Sequence, residues 1–151
     1  MRPVVQLERT GCGIASVAAI AGLSYRKAKT IANSLGIRVH DKALWSDTAH
    51  VRRLLRHLGF AGSSRELPFR SWKALPDLAL LSTKWHLEQG HPCWHWVVFV
   101  REGDQAYVLD SKKALRKNRR TDFGRIKPKW FIPVTDAQER LPTGAPRLPR
   151  R

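Results

Sequence analysis

The 151-residue sequence predicts an α+β fold in which N-terminal helices pack on a C-terminal antiparallel sheet. Residues 12–58 carry helical periods, and residues 78–134 carry segments rich in β-formers with a turn signal between two of them. Helices first and antiparallel strands second is the order typical of α+β domains. A chain of this length buries roughly 70% of its unfolded surface, so one domain over residues 1–137 can hold a full core.

The first predicted helix begins near Cys12 and ends at Gly22. Its sequence, CGIASVAAIAGL, is small and apolar on nearly every face, which indicates a helix in the middle of the domain rather than on its surface. We expect Thr10 to cap the N-terminus and Gly22 to mark the exit.

Two amphipathic helices follow the first. The second covers residues 25–35, with Ser24 as its cap. The third opens at Asp47 or Ser46 and stops at Gly59, with valine and leucine facing inward and arginine facing outward.

The second half of the sequence predicts four strands. They cover residues 78–85, 94–101, 106–110 and 129–134. The turn signal Glu102–Gln105 joins the middle two strands into a hairpin. Residues 138–151 are rich in proline and arginine, which predicts a basic, disordered tail.

Composition limits the partners and the compartment. Lys and Arg number 28 against 12 Asp and Glu, a formal charge of +16, so an acidic partner is expected. The most basic stretch is Lys112–Lys129, which is the candidate surface for that partner. Two cysteines cannot form a disulfide scaffold, and no apolar run approaches the roughly 20 residues of a membrane span. We therefore expect a cytoplasmic protein with free thiols and no membrane span.

Cys12 is the candidate nucleophile. It opens the buried helix and is flanked by Gly11 and Gly13, which leave its sulfur open to a substrate backbone. A helix N-terminus stabilises a thiolate by only about 0.3–1 kcal/mol, or ~2 kcal/mol when partly buried. A cationic histidine is therefore needed in addition, as in other activated cysteine nucleophiles.

Three histidines compete for this role: His86, His91 and His95. His95 is the best placed, because it opens the apolar strand HWVVFV. The predicted turn sets Val97 opposite Asp110, so Asp110 lies diagonal to His95, with Cβ atoms about 7–8 Å apart and an Asp–His hydrogen bond within reach. An odd number of loop residues would turn Asp110 to the other face of the sheet.

Gln6 completes the candidate site. It precedes Cys12 by six positions, in the segment that leads into the first helix. Its side-chain amide can donate to a developing oxyanion beside the Cys12 backbone N–H, and losing one such donor costs about 10²–10³ in rate.

A metal site is the first alternative. His86, His91, Cys93 and His95 can be grouped with Cys12 as a zinc cluster. Their spacing lacks the paired CxxC or HxxxH regularity of zinc sites, so we expect neither a metal nor a cofactor.

A nucleic-acid-binding module is the rival class, on account of the basic Lys112–Lys129 segment. No zinc-finger, RRM, KH or helix-turn-helix signature accompanies that segment.

Gln6, the run CGIAS from Cys12, HWVV from His95 and VLD ending at Asp110 together resemble a papain-like cysteine peptidase. The pattern is most similar to the double-glycine leader peptidases, the bacteriocin-processing domains that precede ABC transporters. The resemblance covers residues 4–134. It implies a papain-like fold, a Gln–Cys–His–Asp site that cuts a peptide after a Gly-Gly leader end, and an ABC transporter as a partner.

Two positions depart from that family. Gly11 stands where an acidic residue is usual before the cysteine, and Ser111 stands where a proline is usual after the aspartate. We therefore expect the catalytic chemistry of this protein to match that of the family more closely than its substrate does. An amidase or acyltransferase of the same fold would use the same three residues, and a basic adaptor with a degenerate site would keep only the fold.

Overall fold

The structure is a computed structural model and describes residues 1–137. Three α-helices span Cys12–Ala21 (α1), Tyr25–Ser34 (α2) and Ala49–His57 (α3), and short 3₁₀ helices span Lys42–Ser46 and Phe123–Arg125. The strands are Phe60–Gly62 (β1), Leu67–Pro68 (β2), Leu78–Glu88 (β3), His91–Glu102 (β4), Gln105–Asp110 (β5), Arg119–Arg120 (β6) and Trp130–Asp136 (β7). The predicted tail over residues 138–151 lies outside the described residues.

The strands form one antiparallel sheet in the order β1-β7-β3-β4-β5-β6, with β2 paired to β7. The three helices pack on one face of this sheet, with α1 in the middle, in contact with β4, α2 and α3. A smaller cluster around Leu75, Phe99 and Phe131 covers the other face, against Trp72 and Phe123. The α+β prediction is thereby confirmed.

The central position of α1 follows from its composition. Nine of its ten residues are buried, and only Ala21 is partly exposed. Gly22 ends the helix in the left-handed conformation at φ 71°, as predicted. The N-cap is Gly11 rather than the predicted Thr10, because the Thr10 hydroxyl instead donates to the carbonyl of Val39.

The other two helices use the capping side chains that the sequence predicted. The Ser24 hydroxyl accepts a hydrogen bond from the Lys27 N–H at 3.2 Å and opens α2. Thr48 occupies the N-cap of α3, but the Asp47 carboxylate binds the first two helical N–H groups, those of Ala49 at 3.1 Å and His50 at 2.8 Å.

The β4–β5 hairpin has the predicted register. Arg101 lies opposite Ala106, and Val97 lies opposite Asp110. The even loop therefore leaves Asp110 on the face of the sheet that the sequence required.

The β3–β4 hairpin is longer than predicted, because the two strands continue past an irregularity between Thr83 and His86. Lys84 lies in this irregularity with a φ of 53°, a left-handed conformation that is costly for a residue with a side chain. Gln89 and Gly90 form the turn of the hairpin, also at positive φ.

Three short strands were not predicted: β1, β2 and β6. Each holds two or three residues, too few to display an alternating pattern. Among residues 1–137, no helix is both long and apolar enough to cross a membrane.

Candidate active site

Cys12 is the first residue of α1 and is buried, with 2% of its surface exposed. The Gly11 cap makes no side-chain hydrogen bond, and the first turn of α1 contains no acidic residue. The partial positive charge of the helix N-terminus is therefore not offset by a local carboxylate, and it favours negative charge on the sulfur.

His95 joins Cys12 to Asp110. Its Nε2 donates to Asp110 Oδ1 at 2.7 Å, and the Cys12 side chain lies near enough to the ring to raise its pKa. Because Nε2 is taken by the carboxylate, Nδ1 is the ring nitrogen available to the sulfur. The three predicted residues thus lie in one chain of contacts, with Asp110 almost fully buried at 2% exposure.

The electrostatics of the pair favour its charged form. Burial lowers the pKa of His95, but the hydrogen bond to Asp110 and the nearby Cys12 side chain outweigh burial and raise the pKa to about 9. Burial raises the pKa of Asp110, while the hydrogen bond from His95 and its positive charge lower that pKa to about 2. At neutral pH, the site therefore holds an imidazolium against a carboxylate.

Asp110 is fixed by more than His95. Its Oδ2 accepts from Arg120 Nη1 at 3.0 Å, and its Oδ1 also accepts from the backbone N–H of Lys112 at 3.1 Å. Arg120 is in turn held by Asp122 at 2.7 Å. Sequence reasoning missed Arg120, because it stands in a run of basic residues with no pattern to separate it from its neighbours.

Gln6 lies beside the site, but its amide is engaged within the chain. Its Nε2 donates to the carbonyls of Glu8 at 2.9 Å and Arg9 at 3.2 Å, which closes the turn just before Cys12. Its Oε1 accepts from the hydroxyl of Ser111 at 2.7 Å, next to Asp110. Both N–H donors are occupied, so a role at an oxyanion requires one of them to exchange a carbonyl for the substrate. That role stays a prediction.

Side chains from other helices fill the space beside Gly11 and Gly13. A Cβ at Gly11 would overlap with the Tyr25 hydroxyl, and a Cβ at Gly13 would overlap with Nε2 of the buried His50. Tyr25 donates to Glu8 Oε2 at 2.5 Å. The glycines are therefore needed for packing around the start of α1, a reason that the sequence did not reveal.

A cleft of about 370 Å³ opens on His95. It is lined by Gln6, Leu7, Glu8, Arg9, Trp45, Lys84, His95, Lys112, Lys113 and Ala114. Cys12 is not one of these residues. A substrate in the cleft therefore meets His95 directly.

One group of metal-ligand types lies on the β3–β4 hairpin. Single ligand atoms of His86, Glu88 and Cys93 all lie within 4.8 Å of one another. His86 Nδ1 donates to the carbonyl of Lys84 at 2.8 Å, which leaves Nε2 to face Glu88 Oε1 at 3.2 Å. His86 and Cys93 belong to the zinc set weighed above, and Glu88 was not part of it.

Cations in the Lys112–Lys129 segment are partly engaged within the protein. The Arg119 guanidinium lies 3.9 Å from the centre of the Tyr107 ring, and the Lys129 ammonium lies 3.5 Å from the centre of the Trp85 ring. Arg120 binds two carboxylates. The charge of the segment therefore serves the fold at several positions, and its binding to an acidic partner stays a prediction.

The fold is that of a known peptidase. A solved structure of a double-glycine motif protease from an AMS/PCAT transporter, in complex with the leader peptide, superposes with a TM-score of 0.55. The match covers 88% of this chain and 89% of that one, at 20% sequence identity. No protein family matches the sequence, and no curated protein matches it either. The similarity establishes the architecture that the sequence resemblance implied.

Proposed function

We propose that the protein is a cysteine peptidase in which Cys12, His95 and Asp110 form the catalytic triad. The observation that carries this proposal is the placement of His95, whose ring bridges a buried carboxylate and a cysteine at a helix N-terminus. This is the arrangement that activates a cysteine nucleophile, with the third group orienting the base.

Hydrolysis proceeds in two halves. The Cys12 thiolate attacks the peptide carbonyl and forms a C–S bond. The His95 imidazolium then gives its Nδ1 proton to the leaving nitrogen as the C–N bond breaks. Neutral His95 next takes a proton from water, which attacks the thioester. The C–S bond breaks, the acid product leaves and the thiolate–imidazolium pair is restored.

The oxyanion formed in each half lies at the start of α1. The Cys12 backbone N–H is available there, with the positive end of the helix behind it. We assign the second donor to Gln6, whose amide would turn from a carbonyl of the preceding turn toward the substrate oxygen.

A peptide with a Gly-Gly leader end is the proposed substrate. The solved neighbour is a double-glycine motif protease with its leader peptide, and the fold is shared over most of both chains. The cleft of about 370 Å³ beside His95 provides the place where such a peptide would bind. By the same similarity, an ABC transporter that carries the mature peptide is the proposed partner.

Mass spectrometry of synthetic Gly-Gly peptides tests this proposal. The purified protein should release the two fragments, and Cys12→Ala should release none, while Cys93→Ala serves as the matched control because it removes the other buried thiol. Free acid products indicate hydrolysis, whereas amide exchange with an added amine would indicate an acyltransferase. Cleavage that survives Cys12→Ala would overturn the proposal.

A further inference from the structure

Two lysines stand together in the wall of the His95 cleft. Lys84 and Lys112 both line it, and they lie close enough that burial and the positive charge of Lys112 together lower the pKa of Lys84. Two like charges at this separation repel, so the arrangement costs free energy unless an anion lies between them.

The backbone holds both lysines in place. Lys84 occupies the β3 irregularity at a φ of 53°, directly after Thr83, which pairs with His95 across the sheet. Lys112 is tied by its N–H to the Asp110 carboxylate. Strained backbone of this kind concentrates at functional sites.

Carboxylates near the two lysines are already engaged. Glu8 is the one acidic residue among the lining residues of the described chain, and it pairs with Lys29 and accepts from Tyr25. Asp110 pairs with His95 and Arg120. Arg9 and Lys113 add further positive charge to the same wall, so the cleft carries a net positive potential toward its ligand.

We infer that Lys84 and Lys112 bind a carboxylate of the substrate, in the segment that leaves when the peptide bond breaks. The inference rests on the proposed peptidase function, which determines the side of the cut bond on which the carboxylate lies. His95 must protonate the leaving nitrogen, so the leaving segment lies on the His95 side of the cut bond. Both lysines flank His95, one through Thr83 and the other through Asp110. The carboxylate is either an acidic side chain or a free C-terminus, and the experiment separates these two sources.

Binding to the Cys12→Ala variant tests the inference without any turnover. Two pairs of peptides that share one member are compared by fluorescence anisotropy, and all three peptides carry a neutral fluorophore and a central Gly-Gly. One pair carries Glu or Gln directly after the Gly-Gly, with an amidated end. The other pair carries Gln, with a free or an amidated end, so the amidated Gln peptide is common to both pairs. The acidic member of one pair should bind about five- to tenfold more tightly at low salt, because two partly exposed ion pairs form. The preference should decline between about 50 and 500 mM NaCl.

Two further variants, each built on Cys12→Ala, separate the site from general charge. Lys84→Gln with Lys112→Gln should abolish the preference between paired peptides, whereas Lys73→Gln, an exposed lysine outside the cleft, should keep it. Equal affinity for all three peptides would overturn the inference. A preference that survives in the double variant, or that Lys73→Gln reduces as much, would also overturn it. If the acidic peptides bind more tightly but the wild-type protein cleaves none of them, the peptidase proposal is contradicted and the carboxylate-binding site is not.

Discussion

His95 makes the contacts that define the candidate site at the residue scale. It is 16% exposed, so one edge of the ring faces the cleft while the other edge meets Asp110. A histidine in this position can exchange protons with a substrate and still keep its orientation. Arg120 and the Lys112 N–H hold Asp110, so the orientation of His95 depends on residues that never touch a substrate.

Replacing Asp110 with Asn removes the carboxylate charge that favours the imidazolium. The pKa of His95, raised to about 9 in the wild type, should fall, and turnover should decrease by about 10²–10⁴. NMR titration of the His95 ring and the pH dependence of cleavage measure the two effects. Asp122→Asn is the matched control, since Asp122 binds Arg120 but not His95. An unchanged titration of His95 in Asp110→Asn would contradict the pairing of Asp110 with His95.

Gln6→Ala separates the two roles that Gln6 can have. If it donates to the oxyanion, kcat should fall by about 10²–10³ while the rate of Cys12 alkylation stays nearly unchanged, because an oxyanion forms only during turnover. Ser111→Ala is the control, since it removes only the hydroxyl that donates a hydrogen bond to Gln6 Oε1. Parallel losses of turnover and alkylation would instead assign Gln6 to holding the turn before Cys12.

The sequence identified the residues that meet at the site, and it missed those that support them. His95 and Asp110 could be placed together because strand alternation and one turn fix their mutual positions, and Cys12 was singled out by its place at the start of a buried helix. Arg120 and Lys84 could not, because their positions depend on a short strand and on a backbone irregularity that no sequence period predicts. Tyr25 and His50 likewise reach the start of α1 only through tertiary packing.

At the scale of elements, α1 determines the geometry of the site. It is buried on nearly all sides, so its N-terminus is held against the sheet that carries His95. The sequence predicted this burial from the absence of a polar face. Thr10 was wrongly assigned as the cap, because a hydroxyl before a helix can equally bond to another segment, here at Val39.

Gly13→Ala should disturb the start of α1. The added methyl group would overlap with the buried His50 ring, and overpacking of this kind costs about 1–3 kcal/mol of unfolding free energy. Gly124→Ala is the matched control, because no atom lies within 4 Å of its added Cβ. Urea denaturation monitored by tryptophan fluorescence gives both values. Equal stabilities for the two variants would contradict the packing described around Gly13.

Across the whole molecule, the basic side chains differ in what they contact. The sequence carries +16, yet several cations are bound by carboxylates or aromatic rings, and a smaller group faces the cleft. The sequence assigned an acidic partner to the Lys112–Lys129 segment, and that partner stays a prediction. The structure shows which cations share a wall with His95.

The His95 ion pair should make the stability of the fold depend on pH. The folded state raises the pKa of His95 from 6.5 to about 9, so it binds the proton more tightly than the unfolded chain does. The resulting stabilisation is complete below about pH 6.5 and is lost as pH rises through about 9. Urea midpoints of the wild type and His95→Gln, measured from pH 6 to 9.5, should therefore converge with rising pH. A constant difference over this range would contradict the raised pKa.

Alkylation of the two cysteines tests the catalytic site most directly. Cys12 and Cys93 are both buried free thiols, at 2% and 6% exposure, and Cys93 also lines a separate cleft beside Trp45. Faster reaction of Cys12 would therefore report its electrostatic surroundings rather than easier access. With iodoacetamide at about pH 6, mass spectrometry should find Cys12 modified well before Cys93, because Cys12 lies beside His95 at a helix N-terminus and a nearby cation activates a cysteine. His95→Ala should slow the reaction of Cys12 sharply and leave that of Cys93 unchanged. Equal modification of both cysteines, insensitive to His95→Ala, would contradict the cysteine peptidase and leave only its fold.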